Sequence, residues 1–384
     1  MRRRPGVIAL LVVTLSAVSS CGSVPDAASP TPTAVSVSVS DCGAGWNAAA
    51  TGLQHFVLHN TDTRAGEILL TDADTAAVYA DVEPIGPGTT ADLDITLGAG
   101  NYAFRCAMED ESIVIGPTVR IDGSTVGVAP VKAVDQSDLV AATRRYEADV
   151  RKQIPVLARR TATLRSAVRA GDIPAAKRAW LPAHLAYERL GAAYGAFGDL
   201  DGRINGLPDG LPGGVADPSW TGFHALEYDL WQGAPQRTTT RAANTLARDV
   251  QALAATFAHA QTEPLELSIR AHEISENALQ FELTGRTDFG SGSALATVRA
   301  NLDGTATVLA IVSPRLRDRD TGPGRLSSEL TRAIRDVEAF DHAGRWSPLD
   351  GLDTRSRERI DADISELTEL LASVASILEP RRTS

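Results

Sequence analysis

The chain has 384 residues, enough for two folded domains that each bury a core of their own. Its 37 Lys and Arg against 48 Asp and Glu give a net charge of −11, which argues against a nucleic acid partner and is compatible with the collection of cations. Aromatic residues make up only 5% of the chain, which favours helices held by small-residue contacts over an aromatic-rich β core.

Residues 1–21 have the pattern of an export signal. Basic Arg2-Arg3-Arg4 precedes an apolar run from Val7 to Ala17 that is too short to span a bilayer. The run ends at Val18-Ser19-Ser20-Cys21, which resembles a bacterial lipobox, so Cys21 is the predicted lipidation site and mature N-terminus. The alternative is an ordinary secretory signal cleaved nearby. Both interpretations place the mature protein outside the cytoplasm, and the first anchors it by lipid to the outer face of the bacterial cell membrane.

The next segments change from a tether to a β domain. Residues 22–34 are Ser, Pro, Thr and Ala in no periodic order, which predicts a flexible tether. From residue 35 to residue 122, short stretches of alternating apolar and polar residues are separated by turn residues. This spacing predicts a small all-β sandwich.

Two further cysteines, Cys42 and Cys106, lie in this β domain. In an exported protein an even pair predicts a disulfide, and closing so long a loop stabilises by about 4 kcal/mol in the chain-entropy model. The alternative is a thiolate metal site that combines one of these cysteines with Met108, Glu67 or the nearby His55 and His59.

After a linker at residues 123–136, a helical period of 3.6 residues replaces the strand pattern through residues 137–384. An all-α domain of two packed bundles is expected there. The predicted helices begin at Ser137 and then run over Pro174–Trp180, Pro182–Phe197, Trp220–Trp231, Thr238–Gln261, Pro264–Leu283, Ser291–Ile311, Gly324–Ala343 and Ser356–Leu378.

Three histidines of the helical half have a glutamate one turn away on the same predicted helix face. The pairs are His184 with Glu188, His224 with Glu227, and His272 with Glu276. This spacing suits two ligands of one metal ion, although such pairs more often form surface hydrogen bonds or ion pairs.

Local context favours two of these pairs. Gly191 and Gly195 are expected on the same helical ridge as Glu188, where a second helix could approach closely and bury the carboxylate. A buried carboxylate needs a cation or hydrogen-bond donors. The Gly222–Trp231 segment carries apolar residues that pack the helix while His224 and Glu227 share a stripe.

The run Tyr187-Glu188-Arg189 through Phe197-Gly198-Asp199-Leu200-Asp201, followed by Phe223-His224-Ala225-Leu226-Glu227, resembles the imelysin-like helical domain of EfeO-type iron-uptake proteins. The resemblance implies a cupredoxin-like β domain before the imelysin-like domain. It also implies an exported protein that binds iron and passes it to a membrane permease, beside a secreted haem peroxidase.

The resemblance carries metal ligation onto Glu188, His224 and Glu227. A further carboxylate from a later helix is expected, and Glu273 is the predicted one. Related proteins often have a second carboxylate where this chain has Gly191 and an aspartate where it has Asn205. A site of one His, two or three carboxylates and an amide suits ferrous iron or zinc at least as well as ferric iron.

The family resemblance also suggests a second metal site, for copper or iron, in the β half. Cys106 and Met108 supply two blue-copper ligand types but no His follows nearby, which argues against a fast electron-transfer copper site. A softer or more acidic site built from Glu67, Cys106 and Met108, with Glu109 and Asp110 beside it, is the remaining hypothesis. A disulfide-pinned sandwich without metal is the alternative.

Three other functions are alternatives to iron binding. A zinc peptidase usually carries His-Glu-x-x-His, and the nearest match, His272-Glu273-Ile274-Ser275-Glu276, ends in Glu. A metal-free module could bind a polysaccharide or protein in the helical groove. A third hypothesis is oxidation of ferrous iron by copper held in the β domain.

Overall fold

The computed structural model describes residues 31–47, 50–260, 262–264, 266–317 and 323–379. The predicted signal segment with Cys21 and most of the predicted tether lie outside these residues. Within them, β-strands come first along the chain and helices follow, which confirms the predicted order of a β sandwich and an all-α domain.

The β half is built from two sheets. Strands β1, β2 and β5 form one sheet, and strands β4, β3, β6 and β7 form the other, with β8 also paired to β6. The strands are β1 Thr33–Val37, β2 Gly52–Asn60, β3 Gly66–Asp72, β4 Val78–Ile85, β5 Thr90–Leu97, β6 Gly100–Met108, β7 Val114–Ile115 and β8 Val119–Ile121. The first strand therefore includes the last two residues of the predicted tether, because Thr33 and Ala34 pair with β2.

The core of this half lies between the two sheets. Trp46 packs edge-on against Phe56 of one sheet and Phe104 of the other, at ring-centroid distances of 5.1 and 5.4 Å. A disulfide joins Cys42 to Cys106 within the same core, with 5.8 Å between the Cα atoms. Cys106 therefore has no free thiolate to offer a metal.

The helical half begins after the predicted linker, in which Val131 pairs with Val78 of β4. Its helices are α1 Gln136–Arg169, α2 Ile173–Glu188, α3 Tyr194–Phe197, α4 Asp199–Asn205, α5 Phe223–Trp231, α6 Gln236–Thr256, α7 Glu266–Asn277, α8 Ala294–Arg317, α9 Pro323–Glu338 and α10 Thr354–Ile377. A wide π-helical turn, Ala278–Glu282, continues α7. Asp135, Asp172 and Asp353 cap α1, α2 and α10 by accepting hydrogen bonds from backbone N–H groups in the first turn.

One prediction about the helices is wrong. Helix α2 runs through Pro182 without interruption and ends at Glu188, so Gly191 and Gly195 do not continue its ridge. The buried apolar residues of the helices form one continuous hydrophobic core. Helix α8 is long and apolar enough to cross a membrane, but two thirds of its apolar window is buried in this core, as expected of a central helix in a folded domain.

Candidate metal site

A cavity of about 200 Å³ lies where the end of α2, helices α4, α5, α7 and α8 and the π-helical turn meet. Polar residues from all of these elements line it, among them Glu188, Asn205, His224, Glu273, Glu282 and Asn301. The sequence therefore predicted four of these six residues, and the structure brings them together from segments far apart in the chain.

Glu188 is buried at the end of α2 and is surrounded by hydrogen-bond donors. Its Oε1 lies 2.8 Å from His184 Nε2 and accepts a hydrogen bond of 2.8 Å from Asn205 Nδ2. The Asn301 amide, in the orientation that satisfies it, donates to Oε2 at 2.9 Å. Burial by itself raises the pKa of Glu188, but the His184 ring and the other donors lower it overall, so the carboxylate is held ionised inside the protein.

His224 enters the cavity from the first turn of α5. Gly222 precedes that turn with φ 95° and ψ −162°, a backbone conformation that is essentially restricted to glycine. A Cβ at this position would lie 2.3 Å from the Ile204 carbonyl oxygen. The glycine of the Gly-x-His-x-x-Glu segment therefore lets α5 start directly against the end of α4, and His224 of α5 and Asn205 of α4 both line the cavity.

Glu227 is fully buried one turn after His224, but it is not among the residues that line the cavity. Its Oε1 accepts hydrogen bonds from the backbone N–H groups of Phe289 and Ser291, at 3.1 and 3.0 Å. Its Oε2 lies 3.7 Å from His224 Nδ1. The predicted pair is thus close in space, while only its histidine faces the cavity.

Glu282 was missed by the sequence analysis. It lies in the π-helical turn after α7, lines the cavity and is 8% exposed, and its Oε2 has no hydrogen-bond partner among the described residues. Burial, together with the nearby Glu188 charge, raises the pKa of Glu282 to about 8. A buried carboxylate of this kind is a candidate cation ligand, but no His one turn away marks it in the sequence.

Asp201 adds a further carboxylate to the cavity wall. It accepts a short hydrogen bond from the Tyr187 hydroxyl, and Tyr187 stacks on Tyr194 with 4.9 Å between ring centroids. Burial raises the pKa of Asp201, against the lowering effect of the Tyr187 hydroxyl. Asp201 belongs to the run of residues that resembles the imelysin-like domain, but its sequence context does not single it out as a ligand.

The predicted ligand Glu273 lines the same cavity from α7 but is already paired. Arg270 Nη1 donates to Glu273 Oε2 at 2.5 Å, and the Glu273 side chain is about one third exposed. The position of Gly191, where the family resemblance leads us to expect a second carboxylate, is crowded by Ile274, whose side chain would lie 2.8 Å from a Cβ there. An apolar side chain therefore fills the space that a second carboxylate would need.

The third predicted pair lies away from this cavity. His272 Nδ1 is 3.1 Å from the Thr368 carbonyl oxygen, and its Nε2 is 3.8 Å from Glu276. Both side chains are partly exposed, at 26% and 45%. This pair is a surface contact and serves as an internal comparison for the two buried pairs.

In the β half, the strand pleat separates the predicted second set of ligands. Glu67 of β3 is paired with Ala107 of β6, so these two side chains lie on the same face of the sheet. Cys106 and Met108, which precede and follow Ala107 in β6, point to the opposite face, where they are buried. Glu67 therefore cannot share a site with Cys106 and Met108. Ligand atoms of Glu67, Asp81 and Glu83 instead lie within 4.8 Å of one another.

Comparisons with known proteins agree with this architecture. The imelysin family model matches residues 142–374. The iron uptake system component EfeO of Yersinia pseudotuberculosis is 27% identical over 269 residues, 70% of each chain. The iron uptake system component EfeO of Escherichia coli O6:K15:H31 is 24% identical over 372 residues, 96% of this chain and 97% of the relative. Because the family model covers more than half of its length, this chain belongs to the imelysin family, and along nearly its whole length it is similar to EfeO iron uptake components.

Proposed function

We propose that this protein is the extracytoplasmic iron-binding component of an Efe-type iron uptake system. The observation that carries the proposal is the cavity that the buried side chains of Glu188, His224 and Glu282 line from three parts of the chain. The names of its EfeO relatives support a role in iron uptake. In this role the protein is lipid-anchored through Cys21, binds iron as cargo and passes it to a membrane permease, with a secreted haem peroxidase as a second partner.

The donor set fits a transition-metal ion. An imidazole nitrogen and two carboxylates suit iron and zinc, and the amides of Asn205 and Asn301 add neutral oxygen or nitrogen groups at the cavity wall. Glu282 Oε2 is buried without a partner among the described residues, which a bound cation would supply. Iron is the cargo that we propose. Because the intrinsic affinity of an imidazole and carboxylate site rises from Fe²⁺ to Cu²⁺ and is higher for Zn²⁺ than for Fe²⁺, zinc and copper are expected to compete with ferrous iron for this set.

A binding role is favoured over peptidase activity. A zinc peptidase needs a carboxylate general base that reaches the metal-bound water. Glu227, the glutamate of the family segment, is closed off from the cavity and held by two backbone N–H groups. Glu188 is hydrogen-bonded to His184, Asn205 and Asn301. Together with the similarity to EfeO iron uptake components, this leads us to propose a metal-binding role and not an enzymatic one.

The test is a calorimetric titration of the full-length metal-free protein with ferrous iron under anaerobic conditions, ferric citrate, zinc and copper. The variant Glu188→Gln, His224→Gln removes two of the three proposed cavity ligands. The matched control, His272→Gln with Glu276→Gln, removes the exposed pair.

We expect the cavity variant to lose at least about a hundredfold in iron affinity, since ligand loss costs more than the tenfold to hundredfold typical of outer-shell changes. The control should bind as the unmodified protein does. Unchanged iron affinity in the cavity variant would move the site to the β half. Failure of the unmodified protein to bind any of the metals would reject the proposal in favour of a metal-free polysaccharide- or protein-binding module.

A further inference from the structure

We propose that Glu227 does not bind the metal itself but positions His224 and sets which ring nitrogen carries the proton. This inference rests on the proposed function, because it assigns the roles of two residues at the iron cavity. From the sequence spacing alone, Glu227 and His224 are both predicted to be ligands of the same metal ion.

The first observation is how Glu227 is held. Two backbone N–H groups, from Phe289 and Ser291, donate to the same oxygen, Oε1, at 3.1 and 3.0 Å. The side chain is fully buried and does not line the cavity. These contacts fix the carboxylate so that its second oxygen, Oε2, is directed towards His224 Nδ1 at 3.7 Å.

The second observation concerns the His224 ring. His224 Nδ1 and Glu227 Oε2 are both buried, and neither has a hydrogen-bond partner among the described residues. The ring also contacts the rings of His184 and Phe289, at centroid distances of 5.1 and 5.6 Å. With Nδ1 turned to Glu227, Nε2 at the other side of the ring is the nitrogen left for the cavity that His224 lines.

The proton then follows from the chemistry of imidazole. A neutral ring carries one N–H and one bare nitrogen, and a carboxylate next to Nδ1 favours the proton there. The lone pair of Nε2 is thereby left free for a metal ion. Metal ligation makes the remaining N–H a stronger donor, so that the 3.7 Å separation, too long for a hydrogen bond, is expected to close when the cavity is loaded.

Direct ligation by Glu227 is the competing arrangement. An ion between Nδ1 and Oε2 would lie on the side of the ring where both atoms are closed to the cavity. The two ring nitrogens point in diverging directions, so this ion would lie away from Nε2, on the side of Glu227, which does not line the cavity that Glu188 and Glu282 line. In that arrangement the metal ion would contact neither His224 Nε2 nor the carboxylates of Glu188 and Glu282.

The test uses full-length metal-free protein with ¹⁵N in its seven histidines. The ¹⁵N shifts of an imidazole distinguish a protonated, a bare and a metal-bound nitrogen. His224→Gln identifies the signals of that ring by their loss. Spectra are recorded before and after zinc addition, for the unmodified protein, for Glu227→Gln and for the matched control Glu276→Gln, whose glutamate lies 3.8 Å from the exposed His272.

In the unmodified protein we expect protonated Nδ1 and bare Nε2 at His224, with zinc shifting Nε2. In Glu227→Gln the amide oxygen must accept from the two backbone N–H groups, so its NH₂ group faces Nδ1. That reversal favours the proton on Nε2, where it blocks the metal, and zinc affinity should fall by about tenfold to a hundredfold. The control should leave both the tautomer and the affinity unchanged.

Two results would overturn the inference. One is a zinc-induced shift at His224 Nδ1, which would make Glu227 and Nδ1 joint ligands. The other is an unchanged His224 tautomer in Glu227→Gln. If the unmodified protein binds no metal, the proposed function fails, while the tautomer of the metal-free protein still decides whether Glu227 positions the ring.

Discussion

Replacement of Gly222 by alanine is expected to destabilise the helical domain and to displace His224 from the cavity. Gly222 has φ 95° and ψ −162°, which an L-residue adopts only at a cost. An alanine Cβ would lie 2.3 Å from the Ile204 carbonyl oxygen and 2.9 Å from that of Arg203. Both contacts are with backbone atoms at the end of α4, which cannot rotate away as a side chain could.

The magnitude follows from two separate costs. The backbone conformation costs about 1–3 kcal/mol for a residue other than glycine, and overpacking against a fixed backbone typically adds about 1–3 kcal/mol. The sum, about 2–6 kcal/mol, is a large part of the stability of an ordinary domain. A matched control is Gly233→Ala just after the other end of α5, where φ is 71° and nothing lies within 4 Å of the added Cβ. That variant should cost only about 1–2 kcal/mol.

The assay is urea unfolding of the metal-free protein, followed by far-ultraviolet circular dichroism, which reports mainly on the helices. A zinc titration of each folded variant measures whether His224 has moved. We expect Gly222→Ala to be less stable than Gly233→Ala by about 2 kcal/mol, from the overpacking contribution, and to bind zinc more weakly. Equal stabilities, or normal zinc binding by Gly222→Ala, would refute the argument that this glycine lets α5 start against α4.

Two further predictions concern a buried acid and the disulfide. The pKa of Glu282 is raised from 4.5 to about 8 in the folded protein. Between pH 4.5 and about pH 8 the folded metal-free protein therefore binds more protons than the unfolded chain, so its stability falls as the pH rises through this window. Glu282→Gln should remove this loss of stability, which is about 3 kcal/mol at pH 7. Urea unfolding of the unmodified protein and the variant at pH 5 and pH 7 measures the effect, and the same pH dependence in both proteins would contradict the prediction. Cys42→Ser with Cys106→Ser opens a loop with a sequence separation of 64 and should destabilise the β half by about 4 kcal/mol while zinc binding is kept. Scanning calorimetry and a zinc titration check this, and loss of zinc binding would place a site in the β half.

The sequence by itself determined the order of the two halves and the local spacing of the metal-binding candidates. Strand alternation and the 3.6-residue period depend only on neighbouring residues, so they predicted a β sandwich before an all-α domain. The same local geometry placed His184 beside Glu188 and His224 beside Glu227, and the structure has these pairs at 2.8 and 3.7 Å. A helix fixes which residues lie one turn apart, whatever surrounds it.

Only the tertiary structure decided which of these groups face a common cavity. Glu282 and Asn301 join Glu188 from distant segments, and no local spacing connects them. The same holds for the β half, where the pleat turns Glu67 to the face opposite Cys106. Long-range packing between elements sets which side of a helix or strand faces a cavity. A sequence pattern contains the spacing of the side chains along one element but not the residues from other elements that surround them.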